Sequence, residues 1–289
     1  EGSGLQILDV SNPGAVSRVG GYDTLGVAWN VAVADGRAYV ADGDGIQILN
    51  ISNPASVTRL GGYNTAGFAN AVQIEGNLAY VADGVDGLLI LDISNPASVA
   101  LVGSYDTPVA AVGLEVVDGL AYIADRYTGL VIVSVANPTA PAYLGAYNTP
   151  GDAKSVHVVG DLAFVADQVS GIQILDVSNP AAVTRLASFD TTGSAMGVQV
   201  VGGLAYVADT WTGIKILEMG SPVAGISHVA GNTYRIDFGE TLPNGEYTLM
   251  LGPEIVNPDG MAMDQNQDGV PGELAEDAYV ARFRVDTAP

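Results

Sequence analysis

The stretch VADGRAYVADGDGIQILNISNP, residues 33–54, returns almost word for word as VVDGLAYIADRYTGLVIVSVANP, residues 116–138. A chain that repeats itself at a fixed interval is built from copies of one supersecondary unit, and the interval identifies the unit. Asn-Pro falls at Asn12-Pro13, Asn53-Pro54, Asn95-Pro96, Asn137-Pro138 and Asn179-Pro180, at spacings of 41, 42, 42 and 42. The word Ala-[Tyr/Phe]-[Val/Ile]-Ala-Asp ends at Asp42, Asp83, Asp125, Asp167 and Asp209. A third word, aromatic-[Asp/Asn]-Thr, begins at Tyr22, Tyr63, Tyr105, Tyr147 and Phe189. Three independent markers keep one period, which rules out chance.

Within a period, short aliphatic and β-branched runs alternate with turn residues, the pattern of strands. In one copy they run Ser155 to Val159, Leu162 to Ala166, Ile172 to Val177 and Val183 to Phe189. The first two runs are joined by Gly160-Asp161, whose counterparts are Asp35-Gly36, Gly76-Asn77, Asp118-Gly119 and Gly202-Gly203. Such pairs supply the positive φ that two-residue hairpins require. Asn-Pro then interrupts the ladder before the fourth run, because proline has no N–H to donate. Four antiparallel strands per period of this length form the blade of a β-propeller.

Leu88-Leu89-Ile90-Leu91-Asp92 followed by Ser94-Asn95-Pro96 resembles the signature of LVIVD-repeat proteins, as do Ile172 to Asp176 and Leu5 to Asp9. The resemblance covers about residues 1–219 and implies an all-β propeller in a secreted or cell-surface protein, used as a binding scaffold. Asn50, Ser134 and Glu218 replace the signature aspartate. That variation marks the aspartate as a turn or edge residue rather than a catalyst. The third-strand type occurs six times and each other type five times, so a propeller of five four-stranded blades leaves one strand over. Val16 to Tyr22 can close the last blade as a clasp; the alternative is a partial ring of a larger propeller.

The period stops at Ser221, which divides the chain into a propeller, 1–219, and a small module, 220–289. Tyr234 to Phe238, Gly245 to Leu251 and Ala278 to Val285 alternate apolar and polar residues as half-exposed strands do. The pattern is similar to the immunoglobulin-like β-sandwich modules of bacterial surface proteins. Between these strands lies Asp264-Gln265-Asn266-Gln267-Asp268-Gly269-Val270-Pro271-Gly272-Glu273. Oxygens at the first, third and fifth positions with glycine at the sixth suit Ca²⁺. The expected ligands are Asp264, Asn266, Asp268 and Glu273. The twelfth position is Ala275, where an EF-hand has its bidentate acid, so the loop is of a looser kind; a solvated acidic turn is the plain alternative.

With 32 acidic against 10 basic side chains, the formal charge is -22, which repels phosphate backbones and anionic headgroups. Nucleic acid is therefore not an expected partner. There is no cysteine, hence no disulfide framework or thiolate chemistry, and no apolar run approaches the length of a membrane span.

Two constellations in the repeats bear on function. First strands surround the axis of a propeller, so Ala32, Gln73, Glu115, His157 and Gln199 are expected to ring it, as a water-satisfied lining or, for Glu115 and His157, as an acid–base pair. The aspartates closing each second strand, with Asp23, Asn64, Asp106, Asn148 and Asp190, read as backbone-bonding turn residues because they recur in every copy. A binding site should instead break the repeat. Trp29, Arg126, Tyr127, Lys154 and Trp211 do so, on loops entering first strands or leaving second strands, alongside Phe68 and Met196. They join apolar area to polar handles and suit a neutral or cationic glycan or a protein partner. No nucleophile motif or phosphate loop is visible. The expected function is thus extracellular binding or adhesion, with a carbohydrate-active enzyme using loop-face carboxylates, or a structural spacer, as alternatives.

Overall fold

The computed structural model describes residues 4–24, 26–218, 223–230, 233–238, 245–251 and 279–285. Two compact units divide the chain, Glu1–Met219 and Gly220–Pro289. The first opens with a strand pair, β1 (Leu5–Asp9) and β2 (Ser17–Tyr22). Four four-stranded sheets follow: β3 (Asn30–Ala34) to β6 (Thr58–Ala69), β7 (Ala71–Glu75) to β10 (Ala100–Tyr105), β11 (Gly113–Val117) to β14 (Ala142–Tyr147) and β15 (Ser155–Val159) to β18 (Thr184–Phe189). A last sheet has three strands, β19 (Ala195–Val201), β20 (Leu204–Asp209) and β21 (Gly213–Glu218). Every neighbour in these sheets is sequential and antiparallel, the order of a propeller-like repeat. In the second unit β22 (Val223–Ala230) pairs with β23 (Thr233–Phe238), and β24 (Gly245–Leu251) with β25 (Tyr279–Val285).

The hairpins use two solutions to the same turn. At Asp35-Gly36, Asp118-Gly119 and Gly202-Gly203 both residues have positive φ; at positions 76 and 160 glycine alone takes it, at the first central position. These are the two backbone patterns whose twist matches that of the flanking strands.

The core lies in the seams between sheets. Tyr39, Ala41, Ile46 and Ile48 on one side of the first sheet pack against Val72, Val81, Leu91 and Ile93 of the second. The same positions recur as Tyr122, Ala124, Leu130 and Ile132 against Val156, Val165, Leu175 and Val177. Each middle sheet is buried on both faces, which is why its strands read as continuous apolar runs. At about 1.5–3 kcal/mol per buried aliphatic side chain, the seams dominate the stability of this unit.

On the outer edge each seam is held backbone to backbone. A Cβ added at Gly20, Gly61, Gly103 or Gly145 of the fourth-type strand would lie 1.7, 1.8, 2.2 or 2.0 Å from the carbonyl oxygen of Pro54, Pro96, Pro138 or Pro180 in the next sheet. Only glycine permits that approach. The Asn side chain before each proline accepts the N–H two residues on, as Asn53 does from Ala55 and Asn95 from Ala97, and so shapes the turn that is approached. In the fourth sheet the corresponding residue is Ala187, and the sheet beyond it ends at β21 without an Asn-Pro turn among the described residues.

The clasp expected from strand counting does not form. β2 pairs with β1 from Leu5–Tyr22 to Asp9–Ser17, and β21 pairs only with β20 among the described strands. Side chains at one cross-strand position explain the choice. Arg18 donates to Gln6 across this pair, as Arg59 does to Gln47 at 2.6 Å and Arg185 to Gln173 at 3.4 Å. β21 carries Lys215 where β1 carries Gln6, so pairing β2 with β21 would set Lys215 against Arg18.

Candidate functional site

The aspartates closing the second strands are 0–5 % exposed, and Asp83, Asp125 and Asp167 latch the crossover between sheets. Thr65 donates its hydroxyl to Asp83 at 2.6 Å and Gly67 its N–H at 3.1 Å; Thr149 and Gly151 do the same for Asp167 at 2.7 and 2.8 Å, and the Val109 N–H reaches Asp125 at 3.0 Å. Burial raises the pKa of Asp83 and Asp167 above the ordinary value, with these hydrogen bonds opposing it. Asp209, in the last sheet, differs. Its burial acts upward too, but the Thr191 and Thr212 side chains and the Trp211 and Thr212 N–H groups outweigh it and bring the pKa down to about 2. These carboxylates hold loops, which accounts for their recurrence.

The first strands of successive sheets are joined by a chain of stitches. Gln73 exchanges two hydrogen bonds with the backbone of Val116, at 2.9 and 2.8 Å. Glu115 accepts the Val158 N–H at 2.6 Å and lies 3.2 Å from His157 Nδ1, while His157 Nε2 lies 3.2 Å from the Val200 carbonyl oxygen. Each side chain therefore reaches the first strand of the next sheet, where a water-filled lining was the expectation. The imidazole thus stands between the Glu115 carboxylate and the Val200 carbonyl, with the Gln199 amide nitrogen 3.4 Å from Nε2. Burial raises the pKa of Glu115, which His157 and the Val158 N–H partly offset. With both ring nitrogens engaged, the pair is placed to tie strands together.

The loops that break the repeat meet at the opposite corner of the seams. The segment after one second strand bridges the segment entering the next first strand at Gly84–Ala111, Arg126–Ala153 and Gln168–Ala195. At the middle bridge, Arg126 takes φ +46°, unusual for a residue with a side chain. Its Nη2 lies 3.0 Å from Asp152 Oδ2, and Lys154 Nζ lies 2.9 Å from the same oxygen. The guanidinium sits 5.2 Å from the centre of the Tyr127 ring, which is 62 % exposed. Burial acts to raise the pKa of Asp152, but the hydrogen bonds and charges of the two cations prevail and hold it low. Arg126, Tyr127 and Lys154 are thus brought together. Trp29, on the loop entering β3, meets Phe68 edge to face at 5.8 Å, and Trp211, on the loop after β20, is 77 % exposed.

Asp152 does not stand out in the sequence, although a signal exists. Its repeat position holds Val27, Phe68, Ala110 and Ser194 elsewhere, so a buried acid there serves no need shared by the sheets. The calcium-loop residues Asp264, Asn266, Asp268 and Glu273 lie outside the described residues. Among the described residues, no group of three or more His, Asp or Glu side chains is arranged to hold a metal, and no helix is long and apolar enough to cross a membrane.

No curated protein matches the chain. Among solved structures it is similar to the computationally designed Ika8 protein, known from a crystal structure, at 10% identity and a TM-score of 0.59 over 98% of this chain and 91% of that one. That likeness concerns the fold alone. The LVIVD repeat model matches residues 1–24, 25–65, 66–107, 110–149, 150–191 and 192–221, and with six consecutive copies over most of its length the chain belongs to the LVIVD-repeat family.

Proposed function

We propose that the repeat unit is an extracellular binding scaffold, a propeller arc belonging to a ring of more than five blades, whose loop edge recognises a glycan or a surface protein. The observation that carries this reading is the Arg126–Asp152–Lys154 cluster beside Tyr127. A buried carboxylate costs stability, and the equivalent positions, Val27, Phe68, Ala110 and Ser194, do without one. An exposed aromatic ring with a fixed cation beside it suits stacking on a sugar face or anchoring a side chain. The surrounding acid favours neutral or cationic partners. Location outside the cell follows from the family's expected use. The aspartates that close the second strands are buried, and Asp83, Asp125 and Asp167 are bonded to loops, which favours binding over an enzymatic use of these carboxylates.

Screening the whole chain on a glycan array and against surface-protein extracts tests this. Tyr127→Ala is expected to weaken the strongest interaction by more than about 1 kcal/mol, while Val85→Ala, exposed at the same repeat position, leaves it unchanged. Equal effects from the two would sink the assignment.

For residues 220–289 we propose a small immunoglobulin-like β-sandwich that takes Ca²⁺ through Asp264, Asn266, Asp268 and Glu273. The support is the spacing of oxygen-bearing side chains and the glycine after the fifth position. Millimolar Ca²⁺ should raise the melting temperature reported by a probe in this module, and Asp268→Ala should remove the rise. A melt indifferent to calcium and chelator excludes the site.

A further inference from the structure

The repeat supplies its own reference for each surface position, and the second sheet departs from it at one place. In the first and fourth sheets an arginine of the fourth-type strand lies on a glutamine of the third-type strand: Arg59 donates to Gln47 at 2.6 Å and Arg185 to Gln173 at 3.4 Å. The second sheet has Leu101 and Leu89 at these two positions. Beside the leucines, between β6 of the first sheet and β9 and β10 of the second, opens a cavity of about 370 Å³, at the small end of ligand sites. Leu89 and Leu101 line it together with Tyr63, Ser104 and two carboxylates, Asp86 and Asp106. Among the described residues neither carboxylate is in an ion pair. Asp86 is itself a departure, since the same turn position holds Gly45, Thr128 and Ser170 in other sheets.

We propose that this cavity binds an arginine side chain of a partner protein, its alkyl stem against Leu89 and Leu101 and its guanidinium at Asp86 and Asp106. Three observations carry it. First, this surface of the sheet already accommodates a guanidinium on such a stem, since Arg59 and Arg185 lie there in two other sheets. Second, exchanging the glutamine–arginine pair for two leucines removes the internal cation and leaves apolar surface open, with Leu101 49 % exposed. An arginine stem covers such surface while its charged head stays at the wet rim. Third, carboxylates accept the parallel N–H groups of a planar guanidinium, a match that an ammonium lacks. The formal charge of -22 attracts a basic partner and speeds its encounter. A single site of this size holds one side chain, the anchor of a larger protein contact. The cavity lies on the seam of the first and second sheets, shares no residue with the Arg126 cluster and does not rest on that reading.

The probe is acetyl-arginine-amide, titrated into the whole chain while the methyl resonances of Leu89 and Leu101 are followed by NMR. Saturable shifts of these methyls are expected, with a Kd of about 10 mM or tighter. Asp86→Thr combined with Asp106→Asn, the residues that the third sheet carries as Thr128 and Asn148, should weaken binding at least tenfold. Leu101→Arg, the residue of the first and fourth sheets, should abolish it, as read on Leu89. Both variants install side chains that neighbouring sheets already hold, so the fold is kept. Acetyl-citrulline-amide, which has the shape without the charge, should not bind, and Tyr127→Ala should leave the shifts unchanged. Equal shifts with the citrulline probe, undiminished shifts in the Leu101→Arg chain, or no shift at about 50 mM probe overturns the inference. Tighter binding of spermidine than of the arginine probe would assign the cavity to a free polyamine and overturns it equally.

Discussion

The third sheet and the last sheet are written in nearly the same words, yet they stand in different surroundings. Ile132 of β13 and Ile216 of β21 occupy one repeat position; the first is fully buried and the second largely exposed. Local sequence therefore dictates the strand, its register and the side each residue faces, while burial is conferred by the neighbouring sheet. Each sheet is half of two seams. This is the energetic pattern of repeat proteins, where stability is a sum of units and of interfaces between them.

The comparison breaks most severely where backbone meets backbone. Gly61→Val places carbon atoms inside contact distance of the Pro96 carbonyl, and neither partner is a flexible side chain that can swing away. It is expected to destabilise the repeat unit by about 3 kcal/mol or more in urea unfolding, with Ala187→Val, which faces no Asn-Pro turn, costing under about 1 kcal/mol. Similar losses at the two sites would show that the outer contact does not hold the seam.

Truncation within the apolar seams comes next. Ile132→Ala should cost about 2–4 kcal/mol and Ile216→Ala under about 1 kcal/mol in urea unfolding. A large loss for Ile216 would show that this side chain is covered in solution.

Acidity sharpens the same contrast more gently. Asp42, Asp83, Asp167 and Glu115, all in complete sheets, have pKa values raised by burial. Their contribution is fully present below the ordinary carboxylate range, about 4, and is lost as pH rises through the raised values. Asp209 in the last sheet, with its pKa of about 2, and Asp152 at the cationic cluster, also lowered, act oppositely: their contribution is present above the ordinary value and is lost as pH falls through the lowered one. Melting temperature should peak in mildly acidic solution and decline on both sides. A melt that rises steadily to pH 8 contradicts the assignment.

What could be read from the sequence follows from which interactions are local. The period, the hairpin turns at pairs such as Asp118-Gly119 and the order of strands depend on residues near one another in the chain, and all were legible. The aspartates closing the second strands, Asp42, Asp83, Asp125, Asp167 and Asp209, were legible as structure because they recur in every copy. The partner of β2 was not, since Arg18 has two third-type strands to choose from and only a comparison of cross-strand positions separates Gln6 from Lys215. Trp29, Arg126, Tyr127, Lys154 and Trp211 stood out by departing from the repeat. Asp152 escaped because one acid among 32 draws no notice until its position is compared with Val27, Phe68, Ala110 and Ser194.

The stitches along the inner strands have a kinetic consequence. Gln73 to Val116, Glu115 to Val158 and His157 to Val200 each span 43 residues, and Asn30 to Val72 spans 42. No such bond requires the two termini to find one another, so loop-closure entropy is set by a single period however many copies are added. Folding can then start at any adjacent pair of hairpins and spread in both directions, and a chain emerging during synthesis can lock each sheet as soon as the following one has appeared.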